Sequence, residues 1–272
     1  MQIKPMSSGD LKNELIIFFK SQLMLFYFFL SSLPLYSQTF FESKIDPILI
    51  DIDNASEIQN LNSDSLKWYL YSQVPDLSKL TPDNRKKKFI NFILPAILIE
   101  KEKIKTAYDY VFDNFNKINP NEITQPLFDY CNCIDKYELL LCLSDQPNSI
   151  IIAQAAIESG WGTSRFFKQG YNLFGVHTTK NDSNKMAAND SQLIYVKKYN
   201  SISESISHYL RTLARVDAYH EFREQRVVSN DVKKLISYLT NYSERRELYV
   251  EDILEIIEYN QLCRYDTISF HK

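Results

Sequence analysis

Apolar residues run almost unbroken through positions 15–36, with Lys20, Ser21 and Gln22 as the interruption. Positions 38–84 are polar and irregular, rich in Ser, Asn and Asp and punctuated by Pro47, Pro75 and Pro82. That texture predicts a linker or N-terminal extension with one helix near 66–71. From position 86 the spacing turns helical. Phe89, Phe92, Ile93, Ala96, Ile97 and Glu100 follow a helical period, and Pro95 is expected to kink or divide that helix. A short apolar helix is predicted over 139–143. A second opens at Pro147-Asn148-Ser149 and ends at Glu158, and Thr163 or Ser164 caps a third that carries Arg165, Phe166 and Phe167. Between 172 and 199 the pattern becomes extended. Positions 173–176 and 193–196 are the strand candidates, and the polar stretch 178–191 between them predicts a long hairpin loop. Ser201 with Glu204 forms a capping box ahead of an apolar face of Ile202, Ile206, Tyr209, Leu210 and Leu213. Helices over 232–239 and 244–258 complete a mainly α (α+β) domain spanning 85–265, with one small β-hairpin.

Within that pattern one polar position stands out. Ile151, Ala155 and Glu158 stand at i, i+4 and i+7, so an acid shares an apolar helical stripe. Gly160 supplies the helix stop, which puts Glu158 in the last turn, at the negative end of the helix dipole. Burial and dipole both disfavour the ionised form and raise the pKa. A carboxylic acid kept protonated near neutral pH is what general-acid cleavage of a glycosidic bond requires. The residues alone balance this equally against a solvated Glu paired with Arg165. Four of the five glycines (Gly160, Gly162, Gly170 and Gly175) fall in this neighbourhood, marking it as the place of special backbone turns.

Composition narrows the classes. Hydrophobic residues make up 44% of the 272, enough for a sizeable core. A net charge of -3 gives no general attraction to nucleic acid. The one basic run, Arg85-Lys86-Lys87-Lys88, is expected to be a solvated helix start. The 15–36 segment, preceded by Lys4 and Lys12, predicts export: residues 1–37 serve either as a signal peptide or as an N-terminal membrane anchor. The expected location is the periplasm, the cell envelope or a membrane-anchored position. Four cysteines, Cys131, Cys133, Cys142 and Cys263, suit an oxidising compartment, but Cys131-Asn132-Cys133 is not C-x-x-C and no His lies nearby to complete a zinc site. No metal and no cofactor are expected.

Ala153-Gln154-Ala155-Ala156, Glu158-Ser159-Gly160-Trp161-Gly162-Thr163-Ser164 and Asn172-Leu173-Phe174-Gly175 together resemble the glucosaminidases of glycoside hydrolase family 73, closest to the Bax-like branch. Tyr199-Asn200-Ser201-Ile202, Ala218-Tyr219 with Phe222-Arg223, and Tyr242-Ser243-Glu244-Arg245 with Tyr249-Val250 extend the resemblance. It implies a lysozyme-like fold with a helical lobe, a small β-hairpin lobe and a glycan cleft between them. It also implies hydrolysis of β-1,4 bonds after N-acetylglucosamine in peptidoglycan strands, with Glu158 matching the general acid and Tyr242 a Tyr near the scissile sugar. Some relatives carry a second Glu in the hairpin lobe. Here the lobe offers only Asp182 and Asp190, of which Asp190 is better placed. Inverting, retaining and substrate-assisted routes are all compatible with the residues. Trp161, Tyr171, Asn172, Phe174 and His177 are the candidate sugar-binding residues, each with a packing or turn role as its alternative. A lytic transglycosylase and a non-catalytic glycan-binding module are the competing functions.

Overall fold

The computed structural model describes residues 45–61, 68–188 and 194–269. The expected export segment at 1–37 and the candidate acid Asp190 lie outside them. Among the described residues no helix is long and apolar enough to cross a membrane.

The chain begins with two short parallel strands, β1 (Ile48–Ile50) and β2 (Tyr69–Tyr71). Helix α1 (Pro82–Asp113) follows, then α2 (Gln125–Cys131), α3 (Lys136–Leu143), α4 (Asn148–Ser159) and α5 (Arg165–Gly170). A three-stranded antiparallel sheet of β3 (His177–Thr178), β4 (Lys185–Ala187) and β5 (Tyr195–Lys197) comes next, in the order β3-β5-β4. Helices α6 (Ile202–Arg215), α7 (His220–Val228), α8 (Val232–Ile236) and α9 (Glu247–Tyr259) close the body, with 3-10 turns at Ser237–Tyr242 and Leu262–Tyr265. A helical body with a small β lobe is the layout the sequence leads one to expect.

Several details differ. Pro95 lies inside an uninterrupted α1. Residues 89–100 are all buried, so packing on every side outweighs the hydrogen bond that proline removes. The predicted 173–176 strand is a turn whose Leu173 and Phe174 enter the core, and the expected hairpin loop contains β4. In the described part of the expected helix near 66–71, Tyr69–Tyr71 form strand β2. Nor does the described part of the 38–84 stretch behave as a linker. Ile52, Ile58, Tyr69, Tyr71 and Leu77 are buried in the main core, and Tyr71 stacks on Phe92 at 5.1 Å. The basic run is drawn into the same join. Lys88 Nζ donates to the Ile58 carbonyl at 2.5 Å, and Lys86 sits over the rings of Trp161 and Tyr259.

Helix α4 is the axis of the main core. A helix apolar on all sides belongs inside, and α4 packs against α1, α9 and the Leu262–Tyr265 turn. Its start is pinned by Asp266, whose carboxylate accepts from the Ser149 backbone N–H at 2.7 Å and from the Ser149 hydroxyl at 2.8 Å. Its end is set by Gly160, left-handed at φ 58°. A second, smaller core gathers Val111, Leu127, Phe128, Tyr130, Leu139 and the cysteines of α2 and α3.

Candidate functional site

Along α4 every residue is buried except Ile157 and Glu158. The last turn of the central helix therefore breaks the surface at one place, and the carboxylate is there. Beneath it runs a chain of polar side chains that all donate in the same direction. Arg226 Nη1 donates to Gln146 Oε1 at 3.1 Å, and Gln146 Nε2 to the Tyr209 hydroxyl at 3.3 Å. The Tyr209 hydroxyl donates to Gln154 Oε1 at 2.6 Å, and Gln154 Nε2 to the Tyr249 hydroxyl at 3.2 Å. Tyr249 in turn donates to Glu158 Oε1 at 3.0 Å. Burial lowers the Arg226 pKa to about 10, which leaves it cationic at neutral pH. The chain thus links a buried positive charge to the acid through oriented dipoles.

Two opposed effects act on Glu158. Burial raises its pKa, the Tyr249 hydrogen bond lowers it, and burial prevails. The group therefore keeps its proton to higher pH than an ordinary carboxyl. Tyr249→Phe removes the lowering contribution. The alkaline limb of the pH profile for kcat/KM is expected to move to higher pH in that variant. A Tyr249 that only packs would leave the limb where it is.

The second oxygen of the acid is placed by Gly175. This residue is left-handed at φ 65°, and a Cβ added there would stand 3.1 Å from Glu158 Oε2. Its bare backbone is what allows the β lobe to approach the carboxylate so closely. The ring of Tyr242 lies parallel to that of Tyr249 at 5.5 Å. Burial, reinforced by the neighbouring Tyr249 and Glu158, holds its phenol well above the usual tyrosine pKa, so it stays a donor. Its hydroxyl makes no hydrogen bond among the described residues.

The other sequence candidates divide. Asn172 is buried and spends its amide on the lobe itself. Nδ2 donates to the carbonyls of Val176 and Lys197, both at 2.8 Å, and Oδ1 accepts from Val176 N. Tyr171 donates its hydroxyl to the Ser72 carbonyl at 2.7 Å, tying the N-terminal strands to the turn after α5. Phe174 stacks on Tyr209 at 4.1 Å inside the core. Trp161 packs edge-on against Phe89 at 5.8 Å. The polar atoms of Asn172 and the hydroxyl of Tyr171 are thus engaged within the protein, and the ring of Phe174 is stacked in the core. His177 stands on β3, where desolvation lowers its pKa and the Glu244 carboxylate works against that. Asp182 is held in its own turn, accepting from the Thr178 hydroxyl at 2.6 Å and from Asn184 N at 2.8 Å.

Tyr249, Gln154, Tyr209 and Gly175 were not singled out as site residues from the sequence. Gly175 carried a signal as one of the clustered glycines, and Gln154 another, as a polar residue at i-4 from Glu158 within a run of small and apolar side chains. No group of metal-ligating side chains gathers around Glu158 among the described residues. The one such group is Cys131, Cys133 and Cys142, in the second core.

Residues 136–262 match the family model for mannosyl-glycoprotein endo-beta-N-acetylglucosaminidase. Protein bax of Escherichia coli (strain K12) is 28% identical over 121 residues, which are 42% of this chain and 43% of that protein. The match therefore spans less than half the length of that relative. The catalytic domain of the autolysin Auto from Listeria monocytogenes is 26% identical, with a TM-score of 0.37, covering 52% of this chain and 87% of that one.

Proposed function

We propose that the protein is a peptidoglycan hydrolase cutting the β-1,4 bond after N-acetylglucosamine, a reading supported by the match of residues 136–262 to the glucosaminidase family model and by the similarity to Protein bax. What carries this reading is the placement of Glu158, a carboxyl whose pKa burial raises, where the last turn of a buried helix reaches the surface. Glu158 is the general acid that protonates the departing glycosidic oxygen. Tyr249 then receives the ionised carboxylate: its donated hydrogen bond strengthens as charge develops, and Gln154 and Tyr209 hold it in line.

The second carboxylate is assigned to Asp190. The sequence from β3 to β5 holds only two acids, and both oxygens of Asp182 are committed to its turn. The substrate's own acetamido group is the alternative partner. Tyr242 presents a free hydroxyl beside the acid and is assigned the sugar's acetamido group or the charge at the anomeric carbon. Tyr242→Phe is expected to lower turnover by at least about tenfold, roughly 1.4 kcal/mol of transition-state stabilisation, with little change in melting temperature. A destabilised but fully active variant would return Tyr242 to the core.

Because the substrate lies outside the cytoplasmic membrane, residues 1–37 are assigned to export. The direct test is release of soluble fragments from dye-labelled peptidoglycan by the full chain. Release above a heat-inactivated control is expected; its absence would contradict the reading.

A further inference from the structure

The second core holds a cluster that glycosidase chemistry does not use. Cys131 ends α2, Asn132 takes the left-handed conformation at φ 55°, and Cys133 follows it. Cys142 comes from α3. The three sulfurs all lie within 4.8 Å of one another, and none is in a disulfide. A carboxylate stands at one edge of the group, with Glu138 Oε1 3.7 Å from the Cys142 sulfur but outside the 4.8 Å cluster of the three sulfurs.

We propose that Cys131, Cys133 and Cys142 form a thiolate site for a zinc ion, with Glu138 turning in from beside Cys142 to take the fourth corner. Zinc bound to sulfur at about 2.3 Å and to oxygen at about 2.0 Å has tetrahedral edges of roughly 3.8 Å between sulfurs and roughly 3.5 Å from sulfur to oxygen. The sulfur triangle needs to contract by no more than about 1 Å to meet that geometry. Three sulfurs and one carboxylate oxygen suit Zn²⁺, which accepts both ligand types, better than the softer Cu(I).

The surroundings point the same way. Three thiolates, one carboxylate and Zn²⁺ leave a cluster of net negative charge, and arginines face it. Arg223 donates to Glu138 Oε1 through Nη2 at 3.0 Å and Nε at 3.2 Å. Arg211 lies over the Tyr130 ring, and Cys131 is among the groups that act electrostatically on both Arg211 and Arg215. Nε and Nη2 of Arg211 and Nη1 of Arg215 are buried with no hydrogen-bond partner among the described residues. Buried guanidinium N–H groups without acceptors are costly, and a filled thiolate cluster supplies the negative charge they lack. With all four corners taken from the protein, the site has no open position. It is a structural clip joining the end of α2 to α3, and it does not depend on the glycosidase assignment.

The test is a metal titration of the reduced, metal-free full chain, with Co²⁺ as spectroscopic stand-in and Zn²⁺ as competitor. One Co²⁺ per chain is expected. It should give a near-ultraviolet thiolate-to-cobalt charge-transfer band and the strong visible absorption of a tetrahedral site, both abolished by one equivalent of Zn²⁺. Zinc should also raise the melting temperature. Cys133→Ser, at the partly exposed corner, should weaken binding by at least about tenfold, and Cys263→Ser should leave it unchanged. Absence of the charge-transfer band would overturn the proposal. So would equal affinity in Cys133→Ser, or a disulfide among the three cysteines that forms in the presence of zinc.

Discussion

Glu158→Gln should reduce hydrolysis by at least about 10²–10⁴-fold while leaving the chain folded. Glutamine keeps the shape of the side chain and still accepts from the Tyr249 hydroxyl, but it has no acidic proton to give. The stability consequence has a definite sign. Burial raises the pKa of Glu158 in the folded chain above its ordinary value. The folded state therefore holds the proton more tightly than the unfolded state. Stability falls as pH rises from the ordinary carboxyl range through the raised folded value. The glutamine variant does not ionise and escapes that loss. At neutral pH its melting temperature should equal or exceed that of the native chain, and its pH dependence should be flatter. Near-native turnover would remove Glu158 from the reaction. A collapse of the melting temperature would make it a structural group.

Gly175→Ala should have the next largest effect. The new methyl would press on Glu158 Oε2 from 3.1 Å, in a backbone conformation at φ 65° that L-residues rarely adopt. Left-handed strain costs roughly 1–2 kcal/mol and should appear as a modest loss in melting temperature. The loss of rate should be about tenfold or more, because the carboxylate must give by a few tenths of an ångström and a misplacement on the order of 1 Å is enough for about 100-fold. The informative comparison is turnover measured well below the variant's melting temperature, where the chain is fully folded. A variant with normal turnover there would show that the close approach of the β lobe does not place the acid.

What the sequence reveals and what it conceals follow from the range of the interactions. The acid on the apolar stripe of α4, the stop at Gly160 and the Ser164 cap are local. They involve residues a few positions apart, and Ser164 accepts from Phe167 N at 3.1 Å as the spacing implies. The apolar face of α6 is equally local, and all five of its residues are buried. The donor chain is different. Tyr249 and Glu158 are 91 positions apart, and Tyr209 and Gln154 are 55 apart. No period or motif signals that these hydroxyls and amides satisfy one another inside a core. Asn172 looked available for a sugar because nothing local shows that its amide is consumed by Val176 and Lys197. The stretch 38–84, polar and proline-broken in texture, suggests a linker or N-terminal extension. Its few large apolar residues, Ile58, Tyr71 and Leu77 among them, are the ones that dock. The three cysteines have no familiar spacing, and they meet only because the left-handed Asn132 and the packing of α2 on α3 bring them together.

Mass spectrometry of the products released from purified peptidoglycan by the full chain, run beside Glu158→Gln, tests the central claim most directly. The account predicts fragments that end in reducing N-acetylglucosamine, absent with the variant. Anhydro-muramic ends would assign the chain to transglycosylase chemistry, and reducing N-acetylglucosamine ends made equally well by Glu158→Gln would contradict the role given to the acid.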